Sequence, residues 1–244
     1  LSKRKNPTSI LFYQRMGYLP EALVNYLGRM GWSMPDESEK FSLLQMQDAF
    51  DIQRVSLGGP VFDVEKLSWL NGQWLRDQSD EQFLDSLLGW AYNRDYAMKI
   101  IPHLRQRVET LSEVADKAAF CFNGMPAINE ASFGHKQYGT DDIKVWLQYL
   151  LWTYEARNDW NRDGLFADAK AIADALEVKI KDFLFPVFIA IAGTSASFSV
   201  VDSMEIIGSD ISRARIRHAI EVLGGVSKKQ MKKLEKAYRD LPVG

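Results

Sequence analysis

Cysteine is almost missing from this sequence. The single Cys121 excludes an internal disulfide framework and a cysteine-built zinc cluster, and fits a reducing cytoplasm. Between Phe120 and Phe122 it reads as a small buried hydrophobe rather than a nucleophile. Long hydrophobic runs are missing as well. The nearest thing to a membrane segment is the charge-free stretch Phe183 to Val201, which Pro186, Gly193, Thr194, Ser195, Ser197 and Ser199 break. The remaining apolar run of ten residues, Phe183 to Ala192, is well short of the roughly 20 a membrane span needs. It reads as a buried core helix and its exit loop. No signal-peptide pattern opens the sequence, and a cytoplasmic location is expected.

Nucleotide-binding signatures are lacking too. There is no His-x-Gly-His, no Gly-x-Gly-x-x-Gly, no Gly-Lys-Ser/Thr loop and no alternating βαβ text. The three histidines, His103, His135 and His218, are isolated and have no ligand spacing, so no metal site is expected. The acidic pair Asp141-Asp142 reads as helix N-terminal charge rather than a hydrolytic dyad.

Net charge is close to zero, at −2, with a pI near 6.0. That average excludes a uniformly basic nucleic-acid binder but hides an asymmetry. From Arg213 to Gly244 nine Lys or Arg stand against three acids, a local +6, and Lys3, Arg4 and Lys5 form a second basic spot. The rest is acidic, at about −11.

What is present is helical periodicity, over 244 residues with 46% hydrophobic composition, enough for a sizeable core in one or two domains. Gly17 is a helix stop and Pro20 a helix start, with Leu23, Val24, Leu27 and Met30 on one expected face and Gly31 closing it. Ser42 caps a third helix running to Phe50. Asp63 caps a fourth that holds Leu67, Leu70 and Trp74, after the turn Leu57-Gly58-Gly59-Pro60. Further stripes follow at Phe83, Leu84, Leu87 and Leu88, at Met98, Ile101 and Leu104, and at Leu111, Val114 and Ala118. Helices resume at Val145, Leu147 and Leu151, then over Ala167 to Ile180, Phe183 to Ala192, Ile211 to Leu223 and Ser227 to Tyr238. The expected fold class is mainly α. Boundaries are expected in the Gly-, Pro-, Asn- and Ser-rich stretch 123–142 and, more weakly, near Asp77 to Asp80.

Three blocks carry a resemblance. Leu1-Ser2-Lys3-Arg4 reads as the last four positions of a five-residue lysine loop. Arg15-Met16-Gly17-Tyr18-Leu19-Pro20-Glu21-Ala22-Leu23-Val24-Asn25-Tyr26-Leu27 follows. Phe50 to Ser56, then Val61 to Gly72, complete the set. In this order they resemble the bacterial glutamyl-tRNA synthetase family, a branch of the class I aminoacyl-tRNA synthetases. The resemblance implies a lysine-loop tail and stem-contact helical domain over 1–77. It further implies an all-helical anticodon-binding region of two subdomains, 78–130 and 131–244. It also implies ATP-dependent attachment of glutamate to tRNA(Glu) through glutamyl-adenylate with Mg²⁺, in a monomer. Whether tRNA(Gln) is a second substrate stays open. The first lysine of the signature is not in the sequence, and this segment alone is expected to be inactive in glutamate activation.

The resemblance assigns Ser2, Lys3 and Arg4 to the ATP phosphates, with Lys3 as the catalytic cation that meets developing negative charge. Candidate tRNA backbone contacts are Arg15, Arg29, Arg54 and Lys66, with Tyr13 beside them; for each, an ordinary solvated side chain is the competing reading. Lys228 and Lys232 stand for a basic helical face that includes Lys229, Lys233, Lys236 and Arg239, opposite Met231, Leu234 and Tyr238. Pro186 to Thr194 is similar to a family pattern with two arginines, but Phe188 and Thr194 occupy those positions, so base reading by guanidiniums is not carried over. Val200 to Gly208 resembles the family's short helix before the last helical pair. A free-standing helical RNA-binding or scaffold protein without aminoacylation activity is the alternative. A glutaminyl enzyme is disfavoured, because that family carries a β-barrel anticodon region and this text is helical.

Overall fold

The computed structural model describes residues 9–195 and 198–241, and among these every regular element is helical. The chain separates into two compact units, Leu1–Tyr96 and Ala97–Gly244. No described helix is long and apolar enough to cross a membrane.

The first unit contains α1 (Ile10–Arg15), α2 (Pro20–Arg29), α3 (Leu43–Ala49), a 3₁₀ turn (Ile52–Arg54), α4 (Val64–Arg76) and α5 (Asp80–Trp90). Its starts are written in side-chain caps. Ser42 and Gln45 form a reciprocal capping box at α3, Ser79 and Gln82 do so at α5, and Asp63 accepts from the Glu65 and Lys66 amides at α4. α2 packs on α3 and α4 over a core of Ala22, Tyr26, Leu67 and Leu70.

The buried face of α2 differs from the expected one. Val24 and Leu27 are exposed, and Ala22, Asn25 and Tyr26 point inward. Polar chemistry decides this. The Asn25 side chain donates to the Glu39 carbonyl and accepts from the Phe41 amide and Trp74 Nε1, while Tyr26 Oη accepts from the Asp63 amide at 2.7 Å. The α5 stripe also departs from expectation, since Phe83, Leu84 and Leu88 are exposed. Apolar spacing establishes that a helix has such a face, not that the same chain covers it.

α6 (Arg94–Leu104) begins in the first unit, with Ile100 and Leu104 buried but Met98 and Ile101 exposed. The second unit continues with α7 (Glu113–Phe122), a 3₁₀ turn (Glu130–Phe133), α8 (Thr140–Ala156), α9 (Arg162–Ala175), α10 (Ile180–Ala192), α11 (Val200–Ile207), α12 (Ser209–Val222) and α13 (Lys228–Arg239). Leu111 is exposed before α7 rather than part of a buried stripe. α8 packs against α9, α10 and α12, and α10 against α9, α11 and α12. The core they enclose includes Leu147, Leu150, Tyr154, Leu165, Ile172, Phe183, Ala190, Met204 and Ile216. Tyr154 is fully buried and donates to the Leu165 carbonyl at 2.9 Å.

Two boundaries shift. α9 runs Arg162–Ala175 rather than from Ala167 to Ile180, because Asn161 caps its start and Glu177 adopts φ +55° after its end. α10 begins at Ile180 rather than Phe183, and Pro186 lies inside it as the expected core helix requires. Asp141 and Asp142 lie in the first turn of α8, where Asp142 accepts from the Gly139 amide. Between α12 and α13 the chain turns through Gly224 (φ +89°) and Gly225 (φ +66°), two left-handed residues in succession.

Candidate nucleic-acid interface

Ser2, Lys3 and Arg4 lie outside the described residues. In the first unit, the structure brings Arg29 and Lys66 together on one carboxylate. Arg29 Nη2 donates to Glu39 Oε1 at 2.6 Å, and Lys66 Nζ reaches Oε1 at 2.8 Å and Oε2 at 2.7 Å. Hydrogen bonding from Lys66, with a lesser share from Arg29, holds the Glu39 carboxyl below its ordinary range against the opposing effect of burial. Lys66 also lies over the Trp69 ring, 4.1 Å from its centroid. Two cations and one anion leave a local charge of +1 on a half-exposed surface.

The other first-unit candidates stand apart from that trio. Arg54 is exposed and donates to the Met34 carbonyl at 3.3 Å. Arg15 is exposed at the end of α1, where its carbonyl accepts from Trp90 Nε1 at 2.8 Å. Tyr13 is a core residue and not a surface contact. Its ring packs on Phe12, Tyr18 and Phe62, and burial, with smaller contributions from Tyr18 and Tyr26, pushes its phenol up to about 12.

In the second unit, three arginines that composition counts as basic surface have structural duties. Arg215 is buried, and its guanidinium donates to the carbonyls of Gly124, Ile191, Phe120 and Asn123, at the ends of α7 and α10. Arg213 donates to the Tyr154 and Arg157 carbonyls at 2.8 and 3.0 Å and lies over Trp160, and burial lowers its pKa. Arg217 pairs with Glu155 at 2.7 Å. Sequence reading missed these roles. Their signal was the spacing 213, 215, 217 on a helix that also carries Ile211, Ile216 and Ile220, which cannot turn all three guanidiniums to water.

The basic surface of the C-terminal segment therefore reduces to α13. Lys228 and Lys232 lie one turn apart on it and are exposed. Its inner face is anchored by Tyr238, whose Oη is 2.7 Å from Thr153 Oγ1 and whose ring lies 5.3 Å from Trp152 and 5.5 Å from Tyr149. Met231, Leu234 and Tyr238 are half-buried, as the spacing predicts.

Phe188 is half-buried on α10, and Thr194 is exposed just after it. His103 lies 3.8 Å from Asp202 and stacks on Phe198, and His135 lies 3.5 Å from Asp182. Among the described residues no three His, Cys, Asp or Glu side chains gather into a metal site.

Residues 75–220 match the family model described as Anticodon binding domain. The chain belongs to the anticodon binding domain family. The helices from α5 to α11 and all but the last two residues of α12, and thus the buried Arg215 and its carbonyls, fall inside that anticodon binding domain match. Residues 1–69 match the model described as tRNA synthetases class I (E and Q), catalytic domain.

The chain is 96% identical over 244 residues to the Glutamate--tRNA ligase of Alcanivorax borkumensis, covering 100% of this chain and 49% of that protein. It is 56% identical over 244 residues to the Glutamate--tRNA ligase of Marinobacter nauticus, covering 100% and 50%. A crystal structure of a glutamate tRNA ligase from Elizabethkingia meningosepticum is similar at a TM-score of 0.49 and 27% identity, over 86% of this chain and 43% of that one. The chain thus spans about half the length of the curated relatives it matches.

Proposed function

We propose that this chain is the tRNA-binding part of a glutamate-tRNA ligase, an enzyme that joins glutamate to tRNA(Glu) through glutamyl-adenylate at the expense of ATP. What carries the reading is the succession, in one chain, of a class I (E and Q) catalytic-domain match over 1–69 and an anticodon-binding match over 75–220. The helical architecture supports it, because a helical scaffold with exposed cations can hold an RNA backbone.

In this reading residues 1–77 form the lysine-loop tail and stem-contact domain, and 78–130 and 131–244 form two anticodon-binding subdomains. Ser2, Lys3 and Arg4 meet the ATP phosphates, with Lys3 supplying the catalytic cation. Arg15, Arg29, Arg54, Lys66, Lys228 and Lys232 contact tRNA phosphates, Arg29 and Lys66 as a pair balanced by Glu39. ATP is the energy source and Mg²⁺ its companion ion. The described residues do not supply a metal site, and no step is routed through one. The enzyme acts in the cytoplasm as a monomer on tRNA(Glu), with tRNA(Gln) as a second substrate to be tested.

The test is binding of the chain to a tRNA(Glu) transcript and to the same transcript with its anticodon replaced. Tighter binding to the first is expected, and equal binding would remove the anticodon reading. For Lys3, the ligase carrying Lys3→Ala is compared with the unaltered enzyme in ATP-pyrophosphate exchange. Unchanged exchange would remove its catalytic role.

A further inference from the structure

α13 gathers its positive charge on one face. Lys228, Lys229, Lys232, Lys233, Lys236 and Arg239 are all exposed, and a single acid, Glu235, shares the helix. At about 100° per residue the six cations fall within an arc of about 140°, facing away from Met231, Leu234 and Tyr238. None of the six forms an ion pair among the described residues. Lys66, Lys144, Arg157 and Arg217, by contrast, each hold a carboxylate. A merely solvated helix needs no such segregation, since mixed charges would serve.

The helix is also held in place. The Ser227 and Gln230 capping box fixes its start, and Tyr238 ties its last turn to α8 through Thr153, Trp152 and Tyr149. Its charges are thereby presented from a docked element rather than a loose tail. α8 lies within the anticodon-binding match, whereas α13 lies beyond its end at residue 220.

We propose that α13 is a phosphate-tracking element that holds tRNA through its backbone, independently of base sequence. The inference rests on the tRNA-binding reading above and deepens it at Lys228 and Lys232, extending the contact to the whole cationic arc of α13 and separating it from base reading. Three features favour an RNA backbone as the occupant. The exposed arc has no large apolar residue to enter a lipid surface. Lysine, which supplies five of the six cations, is depleted from protein-protein interfaces. Unpaired cations in a row release phosphate counterions on contact, which gives affinity without sequence readout.

The experiment compares the full chain with its Lys229→Gln, Lys232→Gln, Lys236→Gln triple variant, and with Lys170→Gln, a cation outside α13 paired with Asp174. Binding to both tRNA transcripts is measured across a salt series, and binding to vesicles of phosphatidylserine and phosphatidylcholine alongside. The triple variant is expected to bind both transcripts roughly ten-fold more weakly at low salt, with the slope of log affinity against log salt shallower by about 2. Lys170→Gln is expected to leave both unchanged. An unaltered slope in the triple variant, while the parent chain binds tRNA, would overturn the inference and spare the tRNA reading. Equal binding of the two transcripts by the parent chain would overturn the anticodon reading, with the slope still deciding the role of α13. Vesicle binding lost in the triple variant, with the tRNA slope unaltered, would assign α13 to membranes instead.

Discussion

Arg215 Nη1 donates to the carbonyl of Ile191 at 2.6 Å in the interior of the second unit. The same guanidinium serves the carbonyls of Phe120, Asn123 and Gly124, so one side chain from α12 closes the ends of α7 and α10. Arg215→Met should cost about 3 kcal/mol or more, because it leaves several buried carbonyls unsatisfied. Arg215→Lys should recover only part of that loss, since an ammonium cannot fan out to four acceptors. Urea unfolding followed by circular dichroism measures both; equal stability of Arg215→Met and the parent would contradict the assignment.

Gly164 sits against the Arg157 guanidinium so closely that an alanine there has no room. Arg157 is not free to yield, because Asp168 holds Nε and Nη2 at 2.7 and 3.1 Å and Asp159 holds Nη1. Gly164→Ala should therefore destabilise the second unit by about 1–3 kcal/mol, despite the better helix propensity of alanine. Pairing it with Arg157→Ala should relieve most of the penalty, which a double-mutant cycle reads directly.

Glu39 gives the first unit an acid-sensitive element. Its carboxyl is held below its ordinary range by Lys66 and Arg29, so its contribution is complete above the usual glutamate value of about 4.3 and disappears as pH falls through the lower folded value. Glu39→Gln should flatten the stability of this unit against pH in that acid window and leave the dependence near neutrality as it was. Thermal melts from pH 3 to 7 on both proteins distinguish the two profiles.

Cys121 offers a probe of opening in the second unit. Burial pushes its thiol up to about 12, so at pH 8 almost no thiolate forms and the folded protein should resist a thiol reagent. Modification should follow unfolding, accelerating in urea in step with loss of helix signal. Rapid labelling in buffer alone would mean that α7 opens independently of the core.

The helical class was legible in the sequence because punctuation and periodicity agreed: Pro20, Ser42, Asp63 and Ser227 start helices where the structure starts them. The facing of helices was less legible. The Asn25 amide outcompeted Val24 and Leu27 for the interior of α2 by finding three partners, 14, 16 and 49 residues along the chain, which no local pattern reveals. The charge of the C-terminal segment was legible, and so was the exposed face of α13, but the inward turn of the segment's first arginines was not. Arg213 and Arg215 turn inward because helix ends elsewhere need donors, and that need exists only once the helices are packed. The pairing of Arg29 with Lys66 was hidden for the same reason, as Glu39 joins them across 10 and 27 residues.

Gly224 and Gly225 carry a consequence for how the basic helix is aimed. A Cβ at either position would meet no atom within 4 Å, yet both backbones have positive φ, which side chains resist. Alanine at Gly225 would thus remove no charge and create no collision, and would still strain the turn from which α13 sets out. The magnitude of the field at this end of the protein is written in its lysines, and its bearing in two residues that have no side chain at all.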